Sequence, residues 1–515
     1  MIRRYHQQLP LNTPIIIGAG QYVERLGEAS KPPLSPPMQL AATAGKLALN
    51  DAGISAREID TIAVIRLFSD AAKAWASPFG GSNNPPESVA RRIGASPAHR
   101  IYSNVGGTQP LQVMVELLAA ISRGEKRLAL LTGAEAIANQ RFAQRNGYEI
   151  DWREEYDAPL DHREYQKRFA SKAEIDSGLR LPMHFYALIE NCQAHGMGHN
   201  LQTHRDYMAR LLAPFSRVAA ANPYSQSPEA FTPFELAEPG PTNYHLCVPY
   251  LKRLVARDAV NQSAALLLTS IGHARQMGVD PSLWIFLEAY AQGEDQYLSQ
   301  RVDPGRSTAM EQVLNAALAM AGATSGDMDL VDLYSCFPCA VHAAVEILGL
   351  PTDGSRALTV TGGLPFFGGP GNNYSLHALA EVAVRLRARP ARALVTTNGG
   401  FLSKHAAAIL SSQPARAASI DWRDAGDLTV DCANIPVRPP SDTPQRGRTV
   451  SYTVVPRRNK VDLGIVLAET AAGARFLASS TEQAVTAELH ATSAIGRYID
   501  VQSKDERLVF SFCNE

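Results

Sequence analysis

The sequence predicts an α/β protein built from one layered core repeated, followed by a small all-β unit. Three observations carry this. Apolar strand-like runs alternate with apolar helical stretches and glycine turns from residue 14 to 136. The same order of elements returns between 283 and 400. After about residue 419 the pattern changes to short alternating strands with charged turns.

Taken in order, PIIIGAG (14–20) reads as a buried strand entering a glycine turn. Leu40, Ala44, Leu47 and Ala48 mark one helical face that ends at Gly53. IDTIAVI (59–65) is a second strand, Pro85–Gly94 a helix and HRIYSN (99–104) a short strand. Gly106–Gly107 is a turn, PLQVMVELLAAISRG (110–124) a helix apolar nearly all round and therefore buried, and KRLALLTGAEA (126–136) a strand. Residues 140–254 change character. They are rich in Arg, Glu, His and Tyr with weak strand signals, and read as an insertion lying over the core. The core resumes at 255–282, where SAALLLTS (263–270) is a strand, and this closes a first half begun at 1–139. In the second half, 283–412, WIFLEAYA, MDLVDLY and RALVTTNGG are strands, and 310–322, 339–350 and 375–388 are helices. SSQPARAA (411–418) is a linker. The tail, 419–515, holds the strands GRTVSYTVVPR, DLGIVLAET, ARFLASS and ERLVFSFC and suggests a small barrel or sandwich.

The chain has 515 residues, 45% apolar and 19% charged, with a formal net charge of −1. That size suggests two to four domains, and that balance supplies no global field for nucleic acid or an anionic membrane. The polar, Pro-broken N-terminus offers no signal-peptide core, and no apolar run approaches a bilayer span, so a cytoplasmic protein is expected. The six cysteines are Cys192, Cys247, Cys336, Cys339, Cys432 and Cys513. The C-x-x-C at 336–339 sits in an apolar stretch with no second pair and reads as packed free thiols rather than a metal or redox site. Gly18 and Gly20 imitate a dinucleotide fingerprint without its third glycine and read as a strand and tight turn. His195, His199 and His204 read as exposed loop histidines rather than metal ligands, because Gly196 and Gly198 interrupt a helix there. PRRNK (456–460) reads as a solvated hairpin turn rather than a nucleic-acid contact, although alternation does not say which face Tyr452, Phe476 and Phe510 occupy.

Three turn-rich motifs stand out late in the chain: VDLYSCF (331–337), TGGLPFFGGPGNN (361–373) and TTNGGF (396–401). Together with IIIGAGQ, SNVGGTQPLQ (103–112), PMHFYAL (182–188), NPYS (222–225) and SAALLLTS, in this order and spacing, they resemble the thiolase superfamily over 14–410. The likeness is greatest to the sterol-carrier-protein-type thiolases and the thiolase-like protein type 1 branch, which is acetyl-CoA acetyltransferase-like. The tail resembles the extra C-terminal domain of that branch and is similar to the OB-like proteins that partner thiolase-like aldolases.

The resemblance implies a duplicated five-layered α/β fold with an inserted loop domain and a small C-terminal OB-like barrel. It implies a site for an acyl-CoA or CoA, with the thioester as substrate or ligand and no further cofactor or metal. The state implied is a homodimer or a monomer. In the family a cysteine at the N-terminus of the buried helix takes the acyl group, a G-H-P histidine activates it, and a C-x-G cysteine moves the carbon-bound proton. Here Asn104 or Val105 stands at the nucleophile position, Gly369 in place of the histidine, and Thr397 or Asn398 in place of the second cysteine. Tyr334-Ser335-Cys336-Phe337 replaces N-E-A-F. Thiolysis through an acyl-enzyme is therefore not expected.

What remains are three substitutes. Tyr334, at the position where thiolase-like aldolases also carry Tyr, would act as acid or base if neighbouring N–H groups or a cation lowered its pKa, with Tyr374 as a second candidate. Cys336 would be a replacement nucleophile, or else small apolar filler. His405 would face either the pocket or a packed helix, and His377 opens the next helix. Gly368, Gly369, Gly399 and Gly400 would let a thioester approach the backbone, and the resemblance implies that Met183, His184 and Phe185 flank the acyl chain. Three readings follow: an acyltransferase-like or C–C lyase enzyme on acyl-CoA, a non-catalytic acyl-CoA-binding protein, or an interaction module centred on the tail.

Overall fold

In the computed structural model, the structure describes residues 9–26, 32–72, 75–164, 168–414, 435–437, 446–505 and 507–513. The second half of the linker expected at 411–418, the boundary at 419 and Cys432 lie outside the described residues.

The first half contains β1 (Pro14–Val23), α1 (Pro37–Ala52), β2 (Thr61–Val64), α2 (Pro85–Ile93), β3 (His99–Tyr102), α3 (Gln109–Ser122) and β4 (Leu128–Ala136). Its helices stop where the sequence says they should: Gly53 and Gly94 take left-handed conformations at the C-termini of α1 and α2. The Gly18–Gly20 stretch continues β1 rather than turning. A Cβ on Gly20 would meet the Ala44 carbonyl at 2.2 Å, so the glycine lets α1 lie directly on the strand.

The insertion is mostly helical. It holds α4 (Ile137–Asn146), β5 (Asp161–His162), α5 (Lys172–Asp176), α6 (Pro182–Gly196), α7 (Leu201–Ala221), α8 (Pro233–Ala237) and the short pair β6 (His245–Cys247) and β7 (Tyr250–Leu251). The core returns with β8 (Asn261–Ser270) and α9 (Ile271–Gln276). The second half follows as β9 (Phe286–Glu294), α10 (Thr308–Met320), β10 (Leu330–Asp332), α11 (Pro338–Leu348), α12 (Tyr374–Leu386), β11 (Arg392–Gly399) and β12 (Lys404–Ser411).

The duplication is explicit in the sheets. The first has the order β1-β8-β4-β2-β3-β5 and the second β9-β12-β11-β10, read from the matching edge. In the first, β1 pairs antiparallel with β8, β8 antiparallel with β4 and β4 parallel with β2; in the second, β9 pairs antiparallel with β12, β12 antiparallel with β11 and β11 parallel with β10. Helices α3 and α12 pack between the sheets in one apolar core that draws on both halves. Helix α1 covers the outer face of the first sheet and α10 with α11 that of the second, which makes five layers.

The tail forms a closed barrel of β13 (Arg446–Val455), β14 (Leu463–Glu469), β15 (Arg475–Ser480), β16 (Tyr498–Lys504) and β17 (Arg507–Phe512), in the order β13-β14-β15-β17-β16. A helix, α13 (Gln483–Ala491), lies between β15 and β16. This is the OB arrangement. Tyr452, Phe476 and Phe510 all point into the barrel core, so they offer no stacking surface to a nucleic acid. The other face of β14 and β15, through Ile465, Leu467 and Leu477, joins the main core of the α/β body. Among the described residues no helix is long and apolar enough to cross a membrane.

Candidate active site

Four turns converge at the N-terminus of the buried helix α3. The Gly106 N–H donates to Asn372 Oδ1 (3.0 Å), and the Asn372 amide donates to the Arg66 carbonyl (2.9 Å). The Ser375 hydroxyl donates to the Gly107 carbonyl (2.9 Å), fixing the start of α12 against that of α3. The Tyr334 N–H donates to Thr396 Oγ1 (2.9 Å). The backbone N–H groups of Gly107 and Thr108 find no acceptor among the described residues. They stand at the positive end of the helix dipole.

Tyr334 fills the space a side chain at 107 would need. A Cβ on Gly107 would lie 2.6 Å from the Tyr334 hydroxyl and 2.3 Å from the Asn398 carbonyl. What is left beside it, between Met310, Thr397, Asn398 and His405, is a cavity of about 10 Å³, the room of one water. Tyr334 is buried and its ring stands edge-on to Tyr374, centroids 5.4 Å apart. Burial pushes the Tyr334 phenol well above its ordinary range, with Cys336 adding to the shift. This is opposite to the lowering that an acid or base role was expected to need, because desolvation disfavours the phenolate and no cation among the described residues offsets it. Tyr374 is fully buried and committed elsewhere. Its hydroxyl meets Thr361 Oγ1 at 2.6 Å and Asp332 Oδ2 at 3.3 Å.

Both Thr397 and Asn398 line the small cavity, and Asn398 is the one that reaches Tyr186 and Cys336. Its amide donates to the Tyr186 hydroxyl (3.0 Å) and reaches the Cys336 sulfur (3.5 Å), while its Oδ1 is buried without a partner. Thr397 exchanges hydrogen bonds with Ala406 across the strand pair. Burial pushes the Cys336 thiol up to about 12, which leaves no thiolate at neutral pH. His405 lines the small cavity and is held at Nε2 by Ser307 (2.9 Å) and the Leu402 carbonyl (3.1 Å). Burial lowers it to about 4, so it is neutral. His377 is buried, lowered to about 3 and bonded to Gln21, so it belongs to the core.

The remaining sequence candidates have structural partners. Asn104 turns back on its own loop, its Oδ1 accepting the Val105 N–H at 2.9 Å. The Gly369 N–H donates to the Arg257 carbonyl (2.7 Å), and the Gly371 and Asn373 N–H groups are used inside the same turn. A Cβ on Gly368 would collide with the Gln262 side chain at 2.4 Å. His184 Nδ1 accepts the Arg180 N–H at 3.2 Å at the start of α6, and burial lowers it to about 4. Met183 is half-buried beside it. Gly399 packs on Gly107, a Cβ there lying 3.4 Å from the Gly107 nitrogen. Gly400 is left-handed (φ 56°), as are Phe401 and Leu402 (φ 60° and 62°).

That strained turn is held by Arg301, which no sequence motif marks. Arg301 donates to the carbonyls of Phe401 (3.2 Å) and Leu402 (2.9 Å) and to Ser403 Oγ (2.8 Å). Phe185 stacks on Phe401 (4.0 Å) and Tyr186 on Phe337 (4.2 Å), so the insertion closes over the site with aromatic rings. Only the loop-domain motif PMHFYAL hinted at these partners.

The histidine expectation is corrected in part. His195 is exposed, but His204 lies on α7, fully buried, its Nε2 2.8 Å from Glu190 Oε1. Glu190 also accepts the Tyr250 hydroxyl (2.8 Å) and the Cys339 N–H (2.7 Å). The buried carboxylate needs a polar partner, and the helix supplies His204. Among the described residues no cluster has a metal-holding arrangement, and the five described cysteines are free.

A search of solved structures finds a monomeric SCP2-thiolase like protein type 1 from Mycobacterium smegmatis at 32% identity, with a TM-score of 0.80 over 98% of this chain and 100% of that one. The Ltp2-ChsH2(DUF35) aldolase shares 18% identity at a TM-score of 0.55, over 78% of this chain and 98% of that one. Human mitochondrial 3-ketoacyl-CoA thiolase in complex with CoA shares 16% at a TM-score of 0.52, over 78% of this chain and 99% of that one. These last two share the fold. No protein-family model and no curated protein matches the chain.

Proposed function

Since the chain belongs to the family of SCP2-thiolase-like proteins of type 1, we propose that it binds an acyl-CoA thioester at the Gly107–Tyr334 pole without ever acylating itself. The observation that carries this is the filling of the space of a side chain at 107, at the start of the buried helix, by the Tyr334 hydroxyl and the Asn398 carbonyl, in a turn whose Asn104 and Val105 carry no nucleophile. The unpaired N–H groups of Gly107 and Thr108, with the Tyr334 hydroxyl, form the donor set a thioester carbonyl accepts from. Binding of CoA by the human thiolase of the same fold supports the ligand class. The cavity holds one water, so an acyl group reaches the pole only when Tyr334 turns aside.

A second reading, C–C bond cleavage of a β-hydroxyacyl-CoA, is favoured by one observation. Among the described residues, nothing accepts a hydrogen bond from the Tyr334 hydroxyl, so it is free to exchange a proton with a ligand. Its raised pKa favours the acid role over the base.

The test is calorimetry with acetoacetyl-CoA and a branched β-hydroxyacyl-CoA, together with intact-protein mass spectrometry. Saturable binding with an unmodified protein mass is expected. An acylated mass, or no binding, overturns the proposal. Release of a ketone or aldehyde that Tyr334→Phe abolishes while binding persists establishes the second reading instead.

A further inference from the structure

A second concavity, sharing no lining residue with the cavity beside Tyr334, lies between α7, the loop at 352–359 and the C-terminal end of α12. Its volume is about 550 Å³, within the range of small-ligand pockets. The floor is apolar: Leu211, Phe215 and Leu358 are all buried and turn side-chain carbon toward it. The rim is not. Arg217, Arg356 and Arg385 line it, with Glu381 the single carboxylate among its residues.

The charges do not cancel. Arg385 pairs with Glu381 at 2.7 Å. Arg356 donates to the carbonyls of Ser325 (3.0 Å) and Met328, which are neutral acceptors and leave its charge uncompensated. Arg217 has no hydrogen-bond or ion-pair partner among the described residues. Three guanidinium groups against one carboxylate leave two positive charges around an apolar hollow. A planar guanidinium presents paired N–H donors that match an oxyanion, and the floor excludes water from an apolar tail.

We propose that this cleft binds a small amphipathic anion, with an oxyanion head at Arg217 and Arg356 and an apolar chain along Leu211, Phe215 and Leu358. The site is separate from the thioester pole and stands whether or not that reading holds. Titration calorimetry with decanoate, decyl phosphate and decanol tests it on the full chain. Saturable one-to-one binding of decanoate or decyl phosphate is expected, with decanol at least tenfold weaker, and whichever anion binds more tightly identifies the head group. The variant R217Q, at an exposed position, should weaken the anion at least tenfold while keeping the melting temperature of the unliganded protein. Equal binding of decanol, no saturable binding of either anion, or an unchanged affinity in the variant overturns the proposal.

Discussion

At the start of the buried helix, the Tyr334 hydroxyl occupies the space that a side chain on Gly107 would take. The two turns were legible in the sequence as glycine-rich and tyrosine-bearing segments, but not that one fills the other. Spacing does not report which side chain occupies a void made by a residue over two hundred positions away. The resemblance implies Asn104 or Val105 at the nucleophile position, and the residue whose absent side chain leaves room for Tyr334 is Gly107 in the same turn. An alanine there meets a backbone carbonyl at 2.3 Å, which no rotamer change relieves. Gly107→Ala should cost about 1–3 kcal/mol in urea denaturation. A stability equal to the parent's would show that the turn moves aside and that Tyr334 does not define the pole.

At the scale of elements, the barrel is sewn to the insertion rather than tethered to it. The Asn191 amide on α6 donates to the Tyr452 carbonyl (2.8 Å), the Ser451 hydroxyl to the Leu188 carbonyl (2.6 Å), and the Thr453 hydroxyl to the Val248 carbonyl (2.8 Å). Successive residues of β13 are therefore satisfied on opposite faces, one in the barrel core and one on α6. Asn191→Ala leaves a buried carbonyl short of its donor and should destabilise the whole chain by about 1–3 kcal/mol. Loss confined to a separate barrel transition in calorimetry would contradict the seam. Alternation in the sequence found β13, β14, β15 and β17. It missed α13, whose Val485 and Leu489 sit four apart on one buried helical face, because the segment is short and flanked by strand-like runs. It also missed that the insertion would be helical, since α6 and α7 bury polar groups such as Glu190 and His204 that read as surface.

Across the whole molecule, the repeated element order was readable from apolar periodicity, and the matching strand orders bear out the five-layered fold. Nothing in a periodicity fixes partners between chains. Here the insertion's β5 pairs parallel with β3, so that edge of the first sheet is already covered. A monomer is expected: light scattering should return a mass near 55.7 kDa, and a doubled mass would mean that another surface mediates pairing. The sandwiched helices carry a further consequence, for synthesis. Helix α3 buries its sides against strands from both halves. While the chain is being made, its apolar surface waits for β12. About 290 residues separate Ser122 from Ser411, which at roughly 5–20 residues per second is a wait of roughly 15–60 s. During that interval an apolar helix has no finished core to enter, and whatever shields it on the ribosome determines how much of the protein reaches its native state.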